Sequence, residues 1–266
     1  MKMPNLTDQQ IQMFFKEEGT EVLRLLEPLM ELSANSSTLV LGYGRVGKAV
    51  RSEMLPYFHV CGAYAEHEPV RALIVGGWVG QETTTTYTIA RLLARIEATL
   101  HLAAGIEVTA YPIANLVAYR AGRPLTDKQE TQGITLWSGS DCKHIRILEH
   151  ELNRYPYDVV ILLREQPDAR EVAIDLWSNS SSRQTLFNDA LSRYATAAPG
   201  MRWEINPESP RYPRSFTPKP ESDHQPAEIT VALPGALSEN EQADAGIGIL
   251  LTLLHTARQA RATGAI

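Results

Sequence analysis

Short unbroken apolar runs alternate along this chain with longer stretches in which apolar residues recur every three or four positions. The first pattern is that of strands buried on both faces, the second that of amphipathic helices packed on a sheet. The clearest instance is 70–97, VRALIVGGWVGQETTTTYTIARLLARIE. Val70 to Val75 predicts a buried strand, Gly76-Gly77 a turn, and Tyr87, Ile89, Leu92, Leu93 and Ile96 the inner face of a helix. Glu82 falls in that turn, at the carboxyl end of a strand, where open α/β sheets place their ligands.

The same rhythms predict the other elements. Leu6 to Leu32 reads as helical, capped by Thr7 or Asp8, with Gly19 a candidate break, and Asn35 to Ser37 as a turn. Strands are expected within Thr38 to Lys48, over Ile106 to Ile113, Asp158 to Leu163, 172–177 and Glu228 to Leu233. Helices are expected over Ile145 to Tyr155, from a cap at Ser182 or Thr185 to about Tyr194, and over Gly246 to Arg261. Ala49 to Leu55 reads as a short helix ending at Pro56. Residues 198–226 hold seven prolines, too many for a helix or a central strand, and read as a surface loop or a lid. The organisation expected is an N-terminal helical extension, 1–37, and one α/β domain, 38–266, with a mixed sheet flanked by helices.

Composition excludes several classes. The chain has 266 residues and a net charge of −6, which offers no broad basic surface for nucleic acid. No apolar run is long enough to span a membrane, and the N-terminus lacks a signal core. Cys61 and Cys142 read as reduced thiols, which points to the cytoplasm. No GxSxG nucleophile elbow occurs. No two of the seven histidines have HxxxH spacing. Cys142 and His144 make at most a two-ligand hook.

Gly42, Gly44 and Gly47 in TLVLGYGRVGK match GxGxxG after an apolar strand. A dinucleotide site needs those glycines to open a helix, with an acidic residue about 20 positions on. Glu66 and Glu68 lie near that offset, in a polar loop. A nucleotide-binding protein is therefore one reading of this segment; an early hairpin is the other.

The stretch GGW-VGQE followed by ARLLARIE resembles the zinc carboxypeptidase superfamily, especially its succinylglutamate desuccinylase/aspartoacylase-like branch. The resemblance implies a carboxypeptidase-like α/β fold, a hydrolase with a central mixed sheet, and gives each motif position a meaning. Glu82 matches the metal-binding Glu. Val79 stands where the first zinc-binding His is written. Pro112 and Asn115 match a Pro-x-x-Asn strand end, and Arg120 or Arg123 the following Gly-x-Arg loop, a candidate carboxylate clamp. The third metal position falls on Arg164 at the end of 158–163, or on Trp177 in a competing register using 172–177. Arg164 is preferred because a helix of the right type precedes it. The catalytic Glu position is Ala232, and Glu228 lies four residues away. Trp137-Ser138 take the place of the substrate-binding Asn-Arg pair, and the ELNR string at 151–154 falls inside a predicted helix.

A catalytic zinc needs about three protein ligands and a carboxylate to take a proton from bound water. Valine cannot bind a metal, and arginine stays protonated. An Arg164–Glu82 salt bridge across the metal's volume is expected instead. The sequence thus predicts a degenerate carboxypeptidase-like protein, a pseudoenzyme without zinc or other cofactor. Asn115, Arg120, Arg123 and Arg164 would bind a peptide, an acyl amino acid or a protein partner in the former cleft. The rivals are an active zinc deacylase or carboxypeptidase with non-standard ligands, and a nucleotide-binding protein using Gly42 to Gly47.

Overall fold

A computed structural model describes residues 20–45, 54–62, 68–78, 82–116, 143–198, 201–206 and 225–264. The strands are β1 (Leu39–Arg45), β2 (Met54–Cys61), β3 (Val70–Val75), β4 (Ile106–Tyr111), β5 (Val159–Gln166), β6 (Glu171–Trp177), β7 (Arg202–Asn206) and β8 (Ala227–Pro234). The α-helices are α1 (Thr20–Asn35), α2 (Thr83–Ala98), α3 (Lys143–Arg154), α4 (Ser181–Ala197) and α5 (Glu239–Ala262). The strands form one sheet in the order β1-β2-β4-β3-β5-β8-β6-β7. β4, β3, β5 and β8 run parallel; β2 is antiparallel to β1 and β4, and β6 is antiparallel to β8 but parallel to β7. The fold is thus α/β with a mixed central sheet.

The parallel centre explains the sequence rhythm. β3 and β4 are covered on both faces, so nearly every residue is apolar and buried. α2 and α5 pack on one face, where Gly246 meets Thr88 and Leu233. α3 packs on the other, with Ile147 over Gly44. Ile89, Leu92, Leu93 and Ile96 of α2 are fully buried, each contributing about 1.5–3 kcal/mol. Leu26 and Leu29 of α1 join the same core. Among the described residues, no helix is long and apolar enough to cross a membrane.

Five local expectations are corrected. Met54 and Leu55 begin β2 rather than ending a helix, and β2 pairs antiparallel with β1. Pro56 is tolerated because the β4 ladder begins only at Phe58. Gly42 and Gly44 lie inside β1, not at a helix start. They are small for packing reasons: a Cβ at Gly42 would sit 2.3 Å from the Tyr57 ring, and one at Gly44 2.4 Å from Ile147. The phosphate-binding turn that a nucleotide site requires is therefore not built by these two glycines; Gly47 lies outside the described residues. Within 198–226, Arg202–Asn206 forms an edge strand pairing only with β6. α4 is capped by Ser180, whose hydroxyl accepts from the Arg183 N–H, and not by Ser182 or Thr185. α5 starts at Glu239, well before Gly246, on a Ser238/Glu241 capping box.

Candidate active-site cleft

The turn after β3 is built by backbone geometry that only glycine accepts. Gly77 has φ +58°, and a Cβ there would lie 2.7 Å from the Pro112 carbonyl oxygen. Thr85 then holds the turn to the helix: its hydroxyl accepts from the Gly77 N–H at 2.9 Å and donates to the Glu82 carbonyl at 2.8 Å. The Thr86 hydroxyl donates to the Pro112 carbonyl at 2.8 Å, and the Asn115 N–H donates to the Gly77 carbonyl at 3.2 Å. These bonds tie the ends of β3 and β4 to the first turn of α2 and bring buried Asn115 to the same rim.

Glu82 is the N-cap residue of α2, yet its side chain does not cap the helix. It turns back over the strand ends and is 5% exposed. Its Oε2 accepts from the Trp78 N–H at 3.0 Å and its Oε1 from the Glu165 N–H at 3.2 Å. Arg164 completes the arrangement, with Nε 3.6 Å from Oε1. The expected Arg164–Glu82 ion pair is therefore present. Of the two candidate strands, β5 lies beside β3 and brings Arg164 to Glu82, whereas Trp177 on β6 is the register partner of Glu228 on the far side of β8.

Ala232 is fully buried and is the register partner of Arg164 on the neighbouring parallel strand. The two side chains share a face, about 5 Å apart at the backbone. A glutamate at Ala232 would place its carboxylate beside the guanidinium; an alanine offers no proton acceptor. Glu228 is 1% exposed and pairs with Val160, two pleats from Ala232. Its neighbours Thr230 and Asp175 are also buried and are register partners on that face. With Glu228 they form a polar strip running back from Ala232; Thr230 and Asp175 were hidden in the sequence because each sits in an apolar run. Alternation within EITVAL and AIDLW was the available signal. Val79, Arg120 and Arg123 lie outside the described residues.

Glu165 points from the next position of β5. Burial raises its pKa above the usual carboxylate range, and the charge of Glu82 raises it further. The end of β5 therefore presents one arginine and two carboxylates, one of which holds its proton more firmly than an ordinary glutamate.

This donor set does not fit zinc. Both Glu82 oxygens accept from backbone N–H groups, and a permanently charged guanidinium faces one of them. Among the described residues, no group of three or more His, Cys, Asp or Glu side chains can hold a metal ion.

Comparison with solved structures shows that the chain has the fold of the zinc carboxypeptidase superfamily. A metallo-carboxypeptidase from Burkholderia cenocepacia superposes with a TM-score of 0.68 at 13% identity, over 92% of this chain and 71% of that one. An aspartoacylase family protein from Mesorhizobium loti gives 0.52 at 18% identity, over 82% and 68%. A metallo-carboxypeptidase from Pseudomonas aeruginosa, solved in complex with (2-guanidinoethylmercapto)succinic acid, gives 0.64 at 12% identity, over 86% and 67%. No protein-family model and no curated protein matches the chain.

Proposed function

We propose that the protein is a non-hydrolytic carboxypeptidase-like protein that binds a carboxylate-bearing ligand in the cleft at the ends of β3, β5 and β8. The ligand class is a peptide, an acyl amino acid or a protein terminus, and Arg164 is its anchor. The observation that carries this reading is the Arg164–Glu82 ion pair. On the resemblance, Arg164 stands at the third metal position and Ala232 at the general-base position. A guanidinium there supplies fixed positive charge and planar donors for a carboxylate. It does not supply a metal-bound water, and Ala232 does not supply a group to deprotonate one. Hydrolysis of the zinc-carboxypeptidase type needs both. Binding needs neither.

The test is calorimetric titration, with chelator present, of N-acetyl-leucine and of the guanidino-dicarboxylate seen on the Pseudomonas enzyme. Saturable binding that falls at least about tenfold in Arg164→Met, roughly the 1.4 kcal/mol of a weakened charged contact, supports the reading. Equal binding by wild type and variant contradicts it. The rival is a working metallohydrolase, favoured by the kinship of fold with metallo-carboxypeptidases. Turnover of the N-acyl amino acid that chelator abolishes would establish that rival.

A further inference from the structure

At the end of the sheet away from Glu82, strand alternation assembles a second cluster. His59 and Cys61 are two positions apart on β2 and so share a face. Their register partners on β4 are Thr109 and Glu107. His59 Nε2 lies 3.1 Å from Cys61 Sγ, and Nδ1 lies 3.1 Å from Thr109 Oγ1. The Thr109 hydroxyl also hydrogen-bonds Tyr157, and the Tyr157 hydroxyl donates to Glu151 Oε1 at 2.7 Å.

The direction of this chain fixes the imidazole tautomer. Tyr157 donates to Glu151, so its oxygen accepts from Thr109. Thr109, having given its proton, accepts from His59 Nδ1–H. The Nε2 lone pair is left facing the thiol. Burial lowers the pKa of His59, with Glu107 opposing, and the ring is neutral at pH 7. Burial and the Glu107 charge both raise the pKa of Cys61, so the sulfur keeps its proton. Cys61 is nonetheless exposed and free. A nucleophile in reach of a base that a third group orients is the arrangement used for activated nucleophiles.

We propose that Cys61 is a base-assisted thiol that exchanges with small disulfides, with His59 as its general base and Thr109 as the positioning residue. Cys61 passes its proton to His59 Nε2 as the sulfur attacks one sulfur of the disulfide. A new S–S bond forms and the old one breaks. The departing sulfur leaves with the electron pair and takes the proton back from Nε2–H, departing as a thiol. Cys61 is oxidised to a mixed disulfide and half of the small disulfide is reduced. Glu107 beside the thiol, only partly offset by Arg71 at 3.4 Å with Glu68 behind it, favours a cationic disulfide over an anionic one.

The experiment uses the full chain carrying Cys142→Ser, and follows mixed-disulfide formation with cystamine and with oxidised glutathione by mass spectrometry. Alkylation by iodoacetamide is followed in parallel from mildly acidic to about pH 10, near the upper range of thiol ionisation. Near neutral pH, His59→Gln is expected to slow both reactions by about a hundredfold, the usual contribution of a general base. The gap closes at the alkaline end, where the thiol ionises unaided, and Thr109→Val shows a smaller loss of the same shape. Cystamine outpaces oxidised glutathione. An unchanged neutral-pH rate in His59→Gln with native circular dichroism overturns the proposal. Should His59→Gln fail to fold, the profile of the Cys142→Ser protein decides alone. A rate that levels off above the pKa of His59 supports the base; a rate rising in proportion to hydroxide throughout overturns it.

Discussion

Two arginine–carboxylate pairs bracket β5, and they differ in the way that separates a staple from a site. At its start, Asp158 is fully buried, accepts the Arg71 N–H at 2.9 Å and meets Arg261 of α5 at 2.5 Å. The pair fastens the last helix to the sheet. At the other end, Glu82 likewise accepts backbone N–H groups, but Arg164 stands off at 3.6 Å, beyond good hydrogen-bond reach. The second pair keeps a cation at the carboxyl ends of parallel strands, where α/β folds take their ligands.

The largest effect that follows concerns the staple. Arg261→Met leaves the Asp158 charge buried beside the sheet, and should cost about 3–5 kcal/mol in chemical denaturation. Arg164→Met should cost less, about 1–2 kcal/mol, because Glu82 retains two backbone donors. Its main signature is lost ligand affinity. If Arg164→Met proves the more destabilising of the two, the distinction drawn here between staple and site fails.

Rebuilding the metal site sharpens the contrast. Arg164→His with Ala232→Glu should still not hold zinc at unit stoichiometry; adding Val79→His should raise affinity by about ten- to a hundredfold or more, as a further ligand would. Equilibrium dialysis separates the two variants. The smallest effect concerns pH. Burial and Glu82 raise the pKa of Glu165, so the folded state holds that proton to higher pH than the unfolded chain does. Stability from this group is fullest below the ordinary carboxylate range and falls as pH rises through its raised value. Glu165→Gln should show a shallower loss of melting temperature over that interval.

The parts of the fold legible in sequence are those where burial on both faces leaves no ambiguity. β3 spans Val70–Val75 as its apolar run does, β6 and β8 begin and end within one residue of their expected bounds, and β5 runs three residues past Leu163. The hidden parts are those whose signal was mixed. β2 carries Pro56, and β7 is a short edge strand, Arg202–Asn206, inside a proline-rich stretch. α5 opens with seven polar or small residues, and only its Ser-x-x-Glu box marked the start. At the site, the Glu82–Arg164 pair was readable only through the resemblance to the carboxypeptidase motifs, which puts both residues at metal positions. The His59–Cys61–Thr109 relay was not readable, because it is formed across two strands far apart in sequence. His-x-Cys on a strand was its signal.

The central claim is that a guanidinium has displaced the cation at Glu82. Elemental analysis by inductively coupled plasma mass spectrometry, on protein purified without added zinc and again after dialysis against it, tests this most directly. The account predicts well under one zinc per chain in both samples. Stoichiometric zinc that survives dialysis against buffer, and that leaves when Glu82 is changed to Gln, would contradict it.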